Sequence, residues 1–110
     1  MNKIIVILGP TGVGKTKMSI ALAKKLDGEI INADSMQIYK GLNIGTAKIK
    51  EEEKEGIPHH LFDIKEVHED YSIYNYQKDG RKVIDDIFKK GKTPIIVGGT
   101  GLYIKALLYN

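Results

Sequence analysis

Apolar residues along this chain come in blocks separated by glycines and polar turns. Residues 4–8, Ile-Ile-Val-Ile-Leu, form an unbroken apolar run. A run this short and this rich in β-branched residues predicts a parallel strand buried on both faces. Residues 15–26 change to helical spacing, with Met18, Ala21, Leu22 and Leu26 recurring on one face. Gly28 is placed to end that helix as its C′ residue. Residues 29–33 read as a second strand, ending at Asp34-Ser35. Residues 39–48 are rich in turn formers. Residues 50–55 are a charge run bounded by Gly56 and Pro58, which reads as a solvated helix or loop face. Residues 59–64 have room for a short strand. Ser72 predicts the cap of a helix reaching about Lys90, with Ile73, Tyr76, Val83, Ile84, Ile87 and Phe88 as its apolar stripe and Gly91 as its end. Gly80 lies inside that helix and weakens it by ~1 kcal/mol relative to Ala. Residues 93–97 read as a third buried strand. Residues 98–101, Gly-Gly-Thr-Gly, turn into a last helix over 102–108.

Strands alternating with helices predict an α/β fold with a parallel sheet and right-handed crossovers. Ligands of such sheets lie beyond the carboxyl ends of the strands. The loops over residues 9–16, 34–37 and 98–103 follow the three strands, so all three are expected to border one site. Three strands make a thin sheet with exposed edges. The expectation is a single domain over residues 1–110 that forms the N-terminal part of a larger protein.

Gly9-Pro10-Thr11-Gly12-Val13-Gly14-Lys15-Thr16 fits G-x-x-x-x-G-K-[ST], the phosphate-cradling P-loop. It follows a strand and opens a helix, which is the context the motif requires. Its glycines let successive N–H groups point inward without a Cβ clash. Those donors and the positive end of the helix dipole form an anion site. Lys15 adds a point charge for phosphate oxygens, and the Thr16 hydroxyl is suited to Mg²⁺.

The other two loops are less specific. Asp34 ends a buried strand on the ligand side. It suits a metal ligand, direct or through water, a general base, or a turn-forming cap. Ser35 and Gln37 suit either a polar ligand edge or the turn itself. The glycines at 98–101 permit close approach to a ligand, or simply a tight strand-to-helix turn. A kinase or NTPase normally ends a further apolar strand in an acid. Residues 95–97 end in two glycines instead.

Composition narrows the picture a little. The 110 residues are 42% hydrophobic and 28% charged, ordinary for a globular domain. The absence of cysteine excludes disulfides and thiolate zinc sites and fits a reducing compartment. No apolar run has membrane-spanning length. Met1 precedes the first strand so closely that no leader is expected, and the expected location is cytoplasmic. The net charge of +3 permits an anionic partner. Arg81 is the only arginine, so little of that charge acts through bidentate forks.

The P-loop, residues 32–48 (Asn-Ala-Asp-Ser-Met-Gln-Ile-Tyr-Lys-Gly-Leu-Asn-Ile-Gly-Thr-Ala-Lys), Pro58-His59-His60-Leu61 and residues 97–103 (Val-Gly-Gly-Thr-Gly-Leu-Tyr) occur in this order. Together they resemble the tRNA dimethylallyltransferases, also called tRNA isopentenyltransferases. The resemblance implies a P-loop NTPase-like three-layer fold. It implies transfer of a dimethylallyl group from dimethylallyl diphosphate to the exocyclic amine of the adenosine beside the tRNA anticodon. By matching position, Gly9, Pro10 and Thr11 to Thr16 would bind pyrophosphate, with Thr16 also near Mg²⁺ in a catalytic role. Asp34 would be the base or hydrogen-bond acceptor for the amine. Asp34, Ser35, Met36, Gln37 and Thr100 would contact tRNA. The adenosine must leave its stack. The full-length protein is expected to be monomeric, and no membrane partner is expected. The family's inserted helical region and further basic residues, which lie downstream, are not in this sequence. A P-loop kinase of a small metabolite is the competing enzyme class. A phosphate-binding segment without turnover is the competing non-enzyme class. Tyr74 is unusual for its segment, Tyr76 belongs to the core, and the His59-His60 pair is expected to be structural.

Overall fold

The computed structural model describes residues 3–9, 13–34, 38, 51–62, 64–65, 70–98 and 101–109, with the backbone alone at residues 13, 14, 16 and 51. In chain order these form β1 (Ile5–Leu8), α1 (Val13–Leu26), β2 (Gly28–Asn32), a 3-10 turn (Glu51–Lys54), β3 (His59–His60), α2 (Ile73–Lys89), β4 (Thr93–Gly98) and α3 (Gly101–Leu108). The sheet runs in the order β1-β4-β2-β3. Every pairing is parallel. It has four strands among the described residues rather than three, because the segment after Pro58 supplies β3, which pairs Ile30 with His59 and Ile31 with His60.

Helices cover both faces, giving three layers. Ile30 and Ile95 face α1, where they pack with Ile7, Ile20 and Ala23. Their neighbours Ile31 and Ile96 face the other way, into a core with Tyr76, Ile84, Ile87, Ile104 and Leu107 from α2 and α3. Consecutive residues of β2 and β4 are therefore both buried, which is why these strands read as apolar runs without alternation.

Two expectations about buried faces need correction. β1 is not covered on both sides: Val6 is 38% and Leu8 54% exposed. Among the described residues, helices α2 and α3 pack on β2 and β4, and only the α1 face of β1 is covered. The α1 stripe is also displaced. Met18 is 55% exposed and Leu26 39% exposed, while Ser19, Ile20 and Ala23 are buried. Small side chains at 19 and 23 let the helix approach the sheet. Lys15 lies on that same inward face, four residues before Ser19.

The helix ends follow local chemistry. Ser72 and Asn75 form a capping box: the Asn75 N–H donates to Ser72 Oγ at 3.1 Å and the Ser72 N–H to Asn75 Oδ1 at 3.2 Å. At the other end of α2, Gly91 has φ +75°, and the bonds Gly91 N–H to Phe88 O and Lys92 N–H to Ile87 O complete a Schellman motif. For α1 the predicted C′ role of Gly28 is taken by Asp27, at φ 53°. Gly28 is already the first residue of β2.

Candidate functional site

The strand ends bring the loops together. Leu8 pairs with Gly98 and Asn32 with Val97. Beyond the ladders, the Gly9 N–H donates to Gly98 O at 3.3 Å and the Ala33 N–H to Val97 O at 2.8 Å. The chain segments leaving β1, β2 and β4 thus start side by side at one edge, the carboxyl edge of a parallel sheet. A Cβ at Gly98 would stand 2.8 Å from the Ala33 carbonyl oxygen. The glycine there serves the close approach of two strands.

α1 begins at Val13, so residues 13–16 of the P-loop form its first turn. Lys15 Nζ donates to Gly9 O at 2.7 Å and to Gly98 O at 3.1 Å, tying the loop's start to the end of β4. Burial holds the Lys15 pKa below the ordinary lysine value, and the charge of Asp34 pulls it the other way. Lys15 and Asp34, candidates from two different loops, therefore act on one another across the strand ends. Pro10, Thr11, Gly12, Ser35, Met36, Gln37 and Thr100 lie outside the described residues, as do the side chains of Val13 and Thr16.

Asp34 itself is half-buried. Its backbone is held by Asn32, two residues earlier: the Asp34 N–H donates to Asn32 Oδ1 at 2.8 Å, and Asn32 Nδ2 donates to Asp34 O at 3.0 Å. Asn32 Nδ2 also donates to Leu61 O at 2.9 Å. The Tyr76 hydroxyl donates to Asn32 O at 2.7 Å, and its ring stacks on Tyr103 with centroids 4.3 Å apart. Burial pushes the Tyr76 phenol well above the usual tyrosine range. It stays a neutral donor, in keeping with its expected core role.

Asn32 and Glu29 were missed by sequence reasoning. An Asn two residues before an Asp at a strand end is an Asx-turn signal, and it marks Asn32 in retrospect. Glu29 carries no such signal. It is 1% exposed, with His60 Nε2 at 2.7 Å and Lys90 Nζ at 2.6 Å. Burial alone would raise its pKa, but hydrogen bonds from Lys90 and His60 outweigh that and hold the carboxyl below its usual range. This cluster sits at the opposite end of β2 from Asp34 and braces β3 and α2. His59 Nδ1 lies 2.8 Å from Ile57 O. Both histidines thus have structural partners, as expected. Arg81 donates to Leu107 O at 3.2 Å and to Tyr109 O at 3.0 Å, capping the end of α3. No group of three or more His, Cys, Asp or Glu among the described residues could hold a metal.

A family model described as IPP transferase matches residues 37–110. The tRNA dimethylallyltransferase of Anoxybacillus flavithermus is 67% identical over 109 residues, covering 99% of this chain and 35% of that protein. That of Enterococcus faecalis is 64% identical, covering 100% of this chain and 36% of that protein. Among solved structures, the tRNA delta(2)-isopentenylpyrophosphate transferase of Staphylococcus epidermidis superposes with a TM-score of 0.93 at 55% identity, covering 100% of this chain and 36% of that one. A eukaryotic dimethylallyltransferase, whose structures are described as snapshots of it acting on tRNA, superposes with a TM-score of 0.90 at 47% identity over 97% of this chain and 27% of that one. The chain therefore spans about a third of the length of these curated relatives. The strand–loop–helix carrying Lys15, the second loop carrying Asp34 and the family match over residues 37–110 agree, and the chain belongs to the IPP transferase family.

Proposed function

We propose that residues 1–110 form the donor-binding segment of an enzyme that moves a dimethylallyl group from dimethylallyl diphosphate to tRNA. The acceptor is the exocyclic amine of the adenosine beside the anticodon. The observation that carries this reading is geometric: Lys15 Nζ is bonded to Gly98 O, and the neighbouring Val97 carbonyl accepts from Ala33, the residue before Asp34, so both candidates stand at the carboxyl edge of the sheet. One is a cation suited to a diphosphate and the other a carboxylate suited to a proton.

In this reading the P-loop amides and Lys15 hold the pyrophosphate. Lys15 leaves its two carbonyl partners for phosphate oxygens, which offer a stronger, charge-assisted bond. The amine nitrogen forms a bond to C1 of the dimethylallyl group. The C1–O bond to the diphosphate breaks, and its electron pair leaves with pyrophosphate. Asp34 accepts the proton that the amine loses. Hard oxygen donors suit Mg²⁺, which is commonly bound through one or two protein oxygens plus substrate phosphates. The Thr16 hydroxyl would hold it, and when bound it neutralises charge on the leaving pyrophosphate. Residues 35–37 and Thr100, adjoining the same edge in sequence, would contact the tRNA. No helix among the described residues is long and apolar enough to cross a membrane. The proposed setting is a monomeric enzyme in the cytoplasm.

The test is incubation of the full-length enzyme with labelled dimethylallyl diphosphate, Mg²⁺ and unmodified tRNA. Label in tRNA that depends on the adenosine supports the reading. ATP-dependent phosphorylation of a small metabolite, with no label in tRNA, would replace it with the kinase class.

A further inference from the structure

Asp34 lies beyond the last ladder bond of β2. The sheet holds the chain as far as Ala33, whose N–H reaches Val97 O. The side chain of Asn32 holds the backbone of the next residue, Asp34, on both sides, at its N–H and its carbonyl. That side chain is 1% exposed and uses three hydrogen bonds of 2.8 to 3.0 Å: one accepted from the Asp34 N–H, one donated to Asp34 O and one donated to Leu61 O. The first bond alone would make an ordinary Asx turn. The third does more, because it joins the Asp34 loop to the segment after β3. Leu61 is held there at φ 66°, a left-handed conformation that a side chain such as leucine rarely adopts. Strain of this kind persists only where surrounding contacts over-determine it. A fourth bond, from the Tyr76 hydroxyl to Asn32 O, fixes the same residue from α2. Three elements thus converge on Asn32, and the residue they immobilise next is the candidate proton acceptor.

We infer that Asn32 is a positioning residue for Asp34: its buried amide clamps the Asp34 backbone to the β3 side of the sheet and so aims the carboxylate at the attacking amine. The inference rests on the reading of Asp34 as that acceptor. A carboxylate misplaced by about 1 Å loses much of its use, and losses from such displacements can reach the order of 10²-fold. The bonds of the clamp run to Asp34, Leu61 and Tyr76 rather than to the P-loop, so donor binding should change much less than the transfer rate.

The full-length enzyme decides it by single-turnover transfer to tRNA, with the KM for dimethylallyl diphosphate measured alongside. Asn32→Ala and Asn32→Val both remove the clamp, the second while keeping a strand-favouring side chain. Asn32→Ser keeps a short acceptor for the Asp34 N–H. The expected result is a loss of about tenfold or more in rate for either removal variant, a KM within about threefold, and only partial recovery in Asn32→Ser, which restores the turn bond to the Asp34 N–H but not the amide bond to Leu61 O. In an Asp34→Asn background the removal variants should cost nothing more, because residues acting as one unit are non-additive. A parental rate in whichever removal variant folds overturns the clamp while leaving Asp34 in place. An equal further loss in the Asp34→Asn background also overturns it. A parental rate in Asp34→Asn itself removes the reading of Asp34, and the clamp's role falls with it.

Discussion

Gly80 offers a test in which two opposing effects of known size meet. In a free helix, Gly80→Ala should stabilise by ~1 kcal/mol through helix propensity. Here α2 and α3 pack so closely that a Cβ at position 80 would lie 2.5 Å from Leu107 Cδ1. An ordinary carbon contact needs about 3.5 to 4.0 Å, so the methyl must withdraw by roughly 1 Å. Leu107 is 3% exposed and shares a core with Tyr76, Ile84 and Ile104, which leaves little room for it. Overpacking of this kind costs ~1–3 kcal/mol. The overpacking outweighs the propensity gain, and the expected net effect is a destabilisation of ~1 kcal/mol. Leu107→Ala should cost ~2–5 kcal/mol by itself. In that background the obstruction is gone, so Gly80→Ala should reverse sign and stabilise by ~1 kcal/mol or more. Equilibrium urea denaturation of the four proteins in this cycle reads the coupling. A stabilising Gly80→Ala in the parent, or the same effect in both backgrounds, would refute the argument that helix contact selects glycine here.

Lys15→Ala should weaken pyrophosphate binding by ~2 kcal/mol or more, because a charge-assisted contact in a partly desolvated loop is lost; unchanged affinity by calorimetry counts against it. Glu29→Gln tests the cluster at the far end of β2. The folded-state pKa of Glu29 lies below its ordinary 4.5, so the stability it contributes is present above that pH and is lost as pH falls through the folded value. The gap in melting temperature between parent and Glu29→Gln should therefore be widest near neutrality and close below pH 4.5, whereas a gap that widens in acid contradicts the assignment.

Much of this fold is legible in the sequence because β2 and β4 are covered on both faces, so Ile30, Ile31, Ile95 and Ile96 leave an unbroken apolar trace. β1 leaves the same trace, yet Val6 and Leu8 are exposed, since hydropathy records an apolar face but not what covers it. On α1 the buried Ser19 and Ala23 look like surface residues to a hydrophobicity pattern, while the exposed Met18 looks like core. Lys15 and Asp34 could be assigned to one site because parallel strands deliver their loops to one edge. Asn32 was hidden by its own type: polar at a strand end, it reads as a boundary, and its bond to Leu61 spans 29 residues. Glu29 was hidden in the same way, since its partners His60 and Lys90 come from β3 and the end of α2. Ser35, Met36, Gln37 and Thr100 remain expectations from the resemblance, outside the described residues.

The central claim is that a carboxylate on the second loop takes the amine proton while the first loop holds the donor. The most direct measurement is single-turnover dimethylallyl transfer to tRNA by the full-length enzyme carrying Asp34→Asn, with donor binding measured on the same protein. An amide keeps the shape but cannot accept the proton, so the rate should fall by ~10²-fold or more with donor affinity nearly unchanged. Transfer within a few-fold of the parent would contradict the role given to Asp34, and a large loss of donor affinity would place it with the pyrophosphate instead.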